Sequence, residues 1–386
     1  MHTRENPAPP DSHGAPAAAA SQSAPTAPDS QDAPAALHQA RTLPVRILGL
    51  DVTATPGPRK PLTLAVCDLA PGEGCASDSD TAGAPPVLTL HELRELHTLD
   101  DLDRLFGGQL DAGFAGGHMA PDAGWVLGID AALAQPLELV EQLAEQVSWP
   151  RDWAGYATLC GAMDRATFRE LLRGVSAARP AGQKYLYRAC CRSAGAASPM
   201  NTVRPPVALM FHAVAPRLAA HAVHIPLLRP LPRAGRVALE TYPGWLARQL
   251  IGRAPYKGGG ATDRAARRAM RASLLRGLAE LANPTSPTCP SNPACTAPPT
   301  GLSAHPSSAL PGLLPTLTIR WNAEHAARML DDPEADLLDA LLCAVLAATS
   351  ALRPGYGLPE RAAPPRGITA ARLDVEGWIA GLPPEE

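Results

Sequence analysis

The stretch "VRILGLD" (residues 45–51) is a near-continuous apolar run that ends on an aspartate, and it returns in altered form as "GWVLGID" (124–130). Runs that are apolar on successive residues suit central strands covered on both faces. Two further strands lie between them, "LTLAVCDL" (62–69) and "PVLTLHEL" (86–93), set off by the Pro/Gly-rich turns "TATPGPRKP" (53–61) and "APGEGCASDSDTAGAPP" (70–86). With a helical stretch around 98–106, this order predicts three antiparallel strands followed by a parallel one. Beyond Asp130, helices are expected at 136–147, 164–175 and 205–221. A strand "RVALETYP" (236–243) follows, with its proline marking the end, and then a basic helix over 263–281 and two closing helices over 321–331 and 333–351. No internal repeat is evident beyond the echo of "LGLD" in "LGID".

A length of 386 residues suits about two domains, or one domain with large insertions. Residues 1–42 and 283–312 are rich in Ala, Pro, Ser and Thr without apolar periodicity, and they read as a disordered tail and a disordered linker. The folded chain is then 43–282, completed by helices within 313–386. A formal net charge of −3 argues against an overall basic nucleic-acid binder and leaves room for a local basic patch. No apolar stretch has the length of a membrane span, and the N-terminus lacks the order of a secretory signal, so a soluble cytoplasmic protein with no membrane partner is expected. The eight cysteines show no CxxC spacing, which suggests reduced thiols without a structural zinc site.

The closing helix, "DLLDALLCAVLAA" (336–348), poses the functional question. It is apolar on every face, yet it carries Asp339 among residues that must be buried. Asp332 before Pro333 looks like an N-cap with proline at the first helical position, which accounts for the early acids but leaves Asp339 about two turns in. Asp336 and Asp339 are helical neighbours that repel unless a cation or a proton intervenes.

Four elements thus end in or carry an acid: Asp51, Asp130, Glu240, and the Asp336/Asp339 pair. Acids at the carboxyl ends of parallel strands can converge along one sheet edge, where hard cations such as Mg²⁺ or Mn²⁺ find oxygen ligands. Each acid also has a plainer reading. Asp51 can cap a turn, Asp130 can start a helix, and Glu240 can be an edge residue or an arginine partner.

The order of "GLD" after a three-stranded opening, "GID" on a later strand, "ETYP", and a final "DLLDALLCA" helix resembles the domain-of-unknown-function family numbered 429, regarded as a predicted RNase H-like nuclease. The resemblance spans roughly 45–281 and 313–381. The D-x-x-D-A of the last helix is also similar to the final acids of RuvC-type junction resolvases, of the same superfamily. The resemblance implies an α/β, RNase H-like fold, with a mixed five-stranded sheet flanked by helices and a helical insertion between the fourth and fifth strands. It also implies metal-dependent hydrolysis of phosphodiester bonds in DNA or RNA. Asp51, Asp130, Glu240 and Asp339 would be catalytic, and Asp51, Asp130, Asp336 and Asp339 would hold Mg²⁺ or Mn²⁺. The segment 183–204 follows the Arg-containing middle of that family only loosely, and Ala132 replaces a proline common after "GID".

"YKGGG" (256–260) lacks the spacing of a phosphate-binding Walker loop and reads as a flexible turn before the basic helix. Lys257, Arg264, Arg267 and Arg268 are candidate nucleic-acid contacts, with a solvated helix face as the plainer alternative. His212, His221 and His224 lack ligand spacing and read as packing or surface residues. Two rival functions share the fold: an ATP-using phosphotransferase of the actin-like superfamily, for which "DVTATPG" offers a single glycine, and a non-catalytic binding or scaffold protein.

Overall fold

Alternation along β1 (Val45–Asp51) sets the layering. Ile47 packs into one apolar core and Leu48 and Leu50 into another, because successive side chains leave a strand on opposite faces. Every residue of this strand is buried, so both faces carry a helical cover. The computed structural model describes residues 43–72, 84–109, 124–231, 234–280 and 317–383. The tail and the linker expected at 1–42 and 283–312 lie outside the described residues.

β2 (Leu62–Ala70), β3 (Val87–Leu96), β4 (Trp125–Asp130), β5 (Arg236–Glu240) and β6 (Thr318–Arg320) complete a six-stranded sheet in the order β5-β4-β1-β2-β3-β6. β1, β2 and β3 run antiparallel in succession, while β4 returns parallel to β1 and β5 parallel to β4. The mixed α/β sheet matches the sequence reading, but the expected five strands become six. The extra one, β6, pairs parallel with β3 over three residues, and "TIR" is too short to show a strand period.

One face is covered by α7 (Pro243–Ile251), α8 (Arg264–Glu280), α9 (Ala323–Asp331) and α10 (Asp336–Ala351). The other is covered by α1 (Leu99–Gly107) and by α2 (Leu137–Val147), α3 (Trp153–Ala162), α4 (Arg165–Ala177) and α6 (Val207–Ala220). These last four, with the short α5 (Ala189–Ala194), form the helical insertion between β4 and β5. A final α11 (Ala370–Glu376) contacts α2.

Two helix starts differ from expectation. Pro243 opens α7 rather than merely ending a strand, since a missing N–H costs nothing at the first helical position. Asp332 and Pro333 do not start α10. They form a preceding turn in which the Asp332 carboxylate accepts from the Glu334 and Leu337 amides at 3.0 and 2.9 Å. Ala335 is the cap, in the left-handed region at φ 59°, so Asp339 lies in the first turn of the helix rather than about two turns in.

α10 is buried from Leu337 to Ala351 and crosses β1, β2 and β4. It lies unusually close to them because of two glycines. A Cβ on Gly49 would overlap the Ala340 carbonyl oxygen and the Ala344 nitrogen, and would come within 2.9 Å of the Ala344 Cβ. A Cβ on Gly128 would overlap the Cys343 carbonyl oxygen and reach the Thr241 Cγ2 at 2.9 Å. The glycines of "LGLD" and "LGID" are therefore the seats of this helix.

Backbone cannot yield as a flexible side chain can, so Gly49→Ala should destabilise the fold by about 3 kcal/mol. Gly174→Ala in α4, where a Cβ meets nothing within 4 Å, should be neutral or stabilising by up to about 1 kcal/mol. Denaturant unfolding of both variants checks this, and an unchanged Gly49→Ala midpoint would contradict it.

Candidate metal centre

The parallel register places Asp51 opposite Asp130, at the carboxyl ends of adjacent strands and on the face that carries Gly49 and Gly128. α10, seated on those glycines, brings Asp339 over the same strand ends. One carboxylate oxygen from each of Asp51, Asp130 and Asp339 lies within 4.8 Å of the others, a group that can hold a metal ion. Asp51 and Asp339 are buried, and Asp130 is partly open.

Burial holds the Asp51 carboxyl well above the usual carboxylate range, and the Asp130 charge adds to this while Lys257 opposes it. Asp130 is raised to about 6, first by burial, with Lys257 and a hydrogen bond from Asp51 acting the other way. Burial thus favours the protonated form at both strand-end acids, and the pair titrates as one coupled unit.

Asp339 is satisfied from one side. Its Oδ1 accepts from the Tyr256 hydroxyl at 2.8 Å, and its Oδ2 is in ion-pair contact with the Lys257 ammonium. Asp336 instead pairs with Lys60 at 2.5 Å, while its carbonyl accepts from Thr63 Oγ1 at 2.7 Å. Burial works against the Lys60 charge, but the Asp336 carboxylate more than offsets it and raises the pKa. The repulsion foreseen between Asp336 and Asp339 is thus relieved by one lysine each. Asp336 does not belong to the group of three ligand atoms, although its charge helps to raise both Asp51 and Asp130.

Glu240 also stands apart from that group. It pairs in register with Ile129, one residue short of Asp130, so its side chain leaves the sheet on the opposite face. There both oxygens are engaged by the guanidinium of buried Arg188, one at 2.7 Å, and Oε2 also accepts from the Leu133 amide at 2.8 Å. Arg188 further donates to the Glu376 carbonyl at 3.0 Å. The arginine-partner reading of Glu240 describes its surroundings, and its placement among the metal ligands is corrected by one residue of register.

Of the four basic candidates, Lys257 enters the centre and Arg267 touches its backbone, while no contact links Arg264 or Arg268 to the three aspartates among the described residues. Arg267 donates to the Lys257 carbonyl at 3.1 Å, Arg268 pairs with Asp331 at 2.9 Å on the surface, and Arg264 is exposed at the start of α8. "YKGGG" is pinned rather than left as a loose turn: Gly258 donates to the Pro333 carbonyl at 2.8 Å, and buried Arg271 donates to the Tyr256 carbonyl at 2.9 Å. The histidines are engaged separately. His212 meets the Met163 carbonyl, His221 meets Asp103, and His224 accepts from the Leu231 amide. The five described cysteines are free and buried.

Sequence reasoning missed Tyr256, Lys60 and Arg188 as parts of this region. Lys60 and Arg188 carry no motif. Tyr256 had one available signal, its place directly before the lysine already singled out. No family model matches the chain, and no curated protein or solved structure matches it either. Among the described residues, no helix is long and apolar enough to cross a membrane.

Two outcomes are expected. A carboxyl whose pKa is higher in the folded than in the unfolded state binds its proton more tightly when native, so stability must fall as that proton is lost. Raising the pH from about 4 through about 6 should therefore cost the metal-free protein roughly 2 kcal/mol, a figure discounted for the partial exposure of Asp130. Unfolding measured across that range checks the sign, and rising stability would refute it. Arg188→Met strands a buried carboxylate and should cost about 3–5 kcal/mol, whereas Arg188→Met with Glu240→Gln should recover much of the loss in the same measurement.

Proposed function

We propose that this protein is a metal-dependent nuclease of the RNase H-like kind, hydrolysing phosphodiester bonds of DNA or RNA with Mg²⁺ or Mn²⁺. The observation that carries the reading is the convergence of Asp51 and Asp130, register neighbours on parallel strands, with Asp339 from a helix packed across them. An all-oxygen carboxylate set is the donor chemistry that hard divalent cations take, and the absence of histidine or thiolate among the three disfavours a soft or borderline ion. When bound, such an ion acidifies a water and stabilises negative charge on phosphoryl and leaving oxygens.

The chain's own residues do the rest. Asp51 and Asp130 must both be deprotonated for the ion to enter, so binding should weaken as the pH falls, through about 6 for Asp130. Tyr256 and Lys257 orient Asp339. Lys60 and Lys257, each nearly half exposed along the side chain, give the rim a positive charge that suits a phosphate backbone. The β1–β2 turn holds Gly57 bridged to Lys60 rather than a glycine-rich cradle, which favours hydrolysis over ATP-dependent phosphotransfer.

The test is incubation of the full chain with DNA and RNA, single- and double-stranded, in Mg²⁺ or Mn²⁺ and in chelator. Cleavage should require the ion and should fall by roughly 100-fold or more in Asp51→Asn. No cleavage under any condition, or an unaffected Asp51→Asn variant, would favour a binding or scaffold role.

A further inference from the structure

We infer that Lys257 is the second cation of this centre, so that Asp51, Asp130 and Asp339 take one divalent ion and not two. The inference rests on the metal-dependent reading above and concerns how many ions that reading requires. Phosphodiester-cleaving sites with two ions hold them about 3.5–4 Å apart, clamped between shared ligands. Here Oδ2 of Asp339 is already in ion-pair contact with an ammonium, and Oδ1 is held by Tyr256 at 2.8 Å. An ammonium is a compact point charge, a suitable substitute for an ion where only charge is needed.

The lysine is placed by construction. Its own carbonyl is held by Arg267 at 3.1 Å, the preceding carbonyl by Arg271 at 2.9 Å, and the following amide by the Pro333 carbonyl at 2.8 Å. Arg271 is 2% exposed and also donates to the Leu330 carbonyl at 2.7 and 3.0 Å, so a buried guanidinium is devoted to fixing the backbone on either side of the centre. A lysine serving only solubility needs none of these anchors.

Charge counting leads to the same number. Asp51, Asp130, Asp336 and Asp339, when ionised, face Lys60 and Lys257. Two negative charges remain, which one divalent ion neutralises, whereas two ions would leave the centre as positive as it had been negative. Glu240 is left out of this count because Arg188 pairs with it on the opposite face of the sheet, although its charge still helps to raise Asp130. With a side chain 42% exposed, Lys257 can also meet a phosphate oxygen on the open side while it holds Asp339.

The experiment counts Mn²⁺, the metal alone, on the full chain by electron paramagnetic resonance and by calorimetry. Wild type and Lys257→Arg should each bind one ion. Lys257→Met should bind a second, or bind the first at least about tenfold more tightly, because a positive charge has left the cluster. Its cleavage rate at saturating Mn²⁺ should nevertheless fall. Two ions on the wild type, or a Lys257→Met titration identical to it, would overturn the inference and leave the nuclease reading intact. One ion bound without any cleavage would do the reverse, and no bound ion would remove both.

Discussion

Everything at the candidate site depends on how closely the backbone of α10 approaches the sheet. Gly49 and Gly128 lack the Cβ atoms that would collide with the backbone at Ala340, Ala344 and Cys343, so a wholly buried helix can lie directly on β1 and β4. That contact sets the height of Asp339 above the strand ends where Asp51 and Asp130 sit side by side. The glycine two residues before each aspartate thus links packing to chemistry: the same strand seats the helix and presents the acid. A larger residue at either position would lift the helix and open the cluster even if all three acids remained.

Gathering acids in this way is costly, and the surrounding residues show how the cost is distributed. Both strand-end acids are pushed toward the protonated form by burial, with the charges of neighbouring acids adding to it. Each helix acid has a lysine of its own, one from the β1–β2 turn and one from the segment before α8. Glu240, on the opposite face of the sheet, is neutralised by a buried arginine that also ties β5 to the segment before α5 and to the end of α11. Opposite charges are therefore matched separately on the two faces. Among the described residues, the Asp51/Asp130 side keeps a deficit of positive charge, in a group of carboxylates that can hold a metal ion.

Much of this was readable in the sequence for a physical reason. The apolar runs ending at Asp51 and Asp130 carry strand burial and strand end together, and the all-apolar helix around Asp339 makes a lone acid conspicuous. Glu240 shows where such reading fails. "ALE" aligns by eye with "GLD" and "GID", but β5 pairs with β4 one residue out of that alignment, and a single step of register changes the face. β6 was too short to carry a period, and Asp332 with Pro333 supplied capping chemistry to a turn just ahead of the true helix start. Lys60 and Arg188 could not be foreseen, since their roles come from contacts between residues 276 and 52 positions apart in the chain.

The most direct test of the account is to grow crystals in Mn²⁺ and collect anomalous scattering at the manganese edge. The account predicts a single peak between the carboxylates of Asp51 and Asp130, within reach of Asp339, with α10 still seated on Gly49 and Gly128 and the Lys257 ammonium still on Asp339. A cluster empty of manganese at saturating concentration, or a peak elsewhere on the molecule with the three aspartates unengaged, would contradict it.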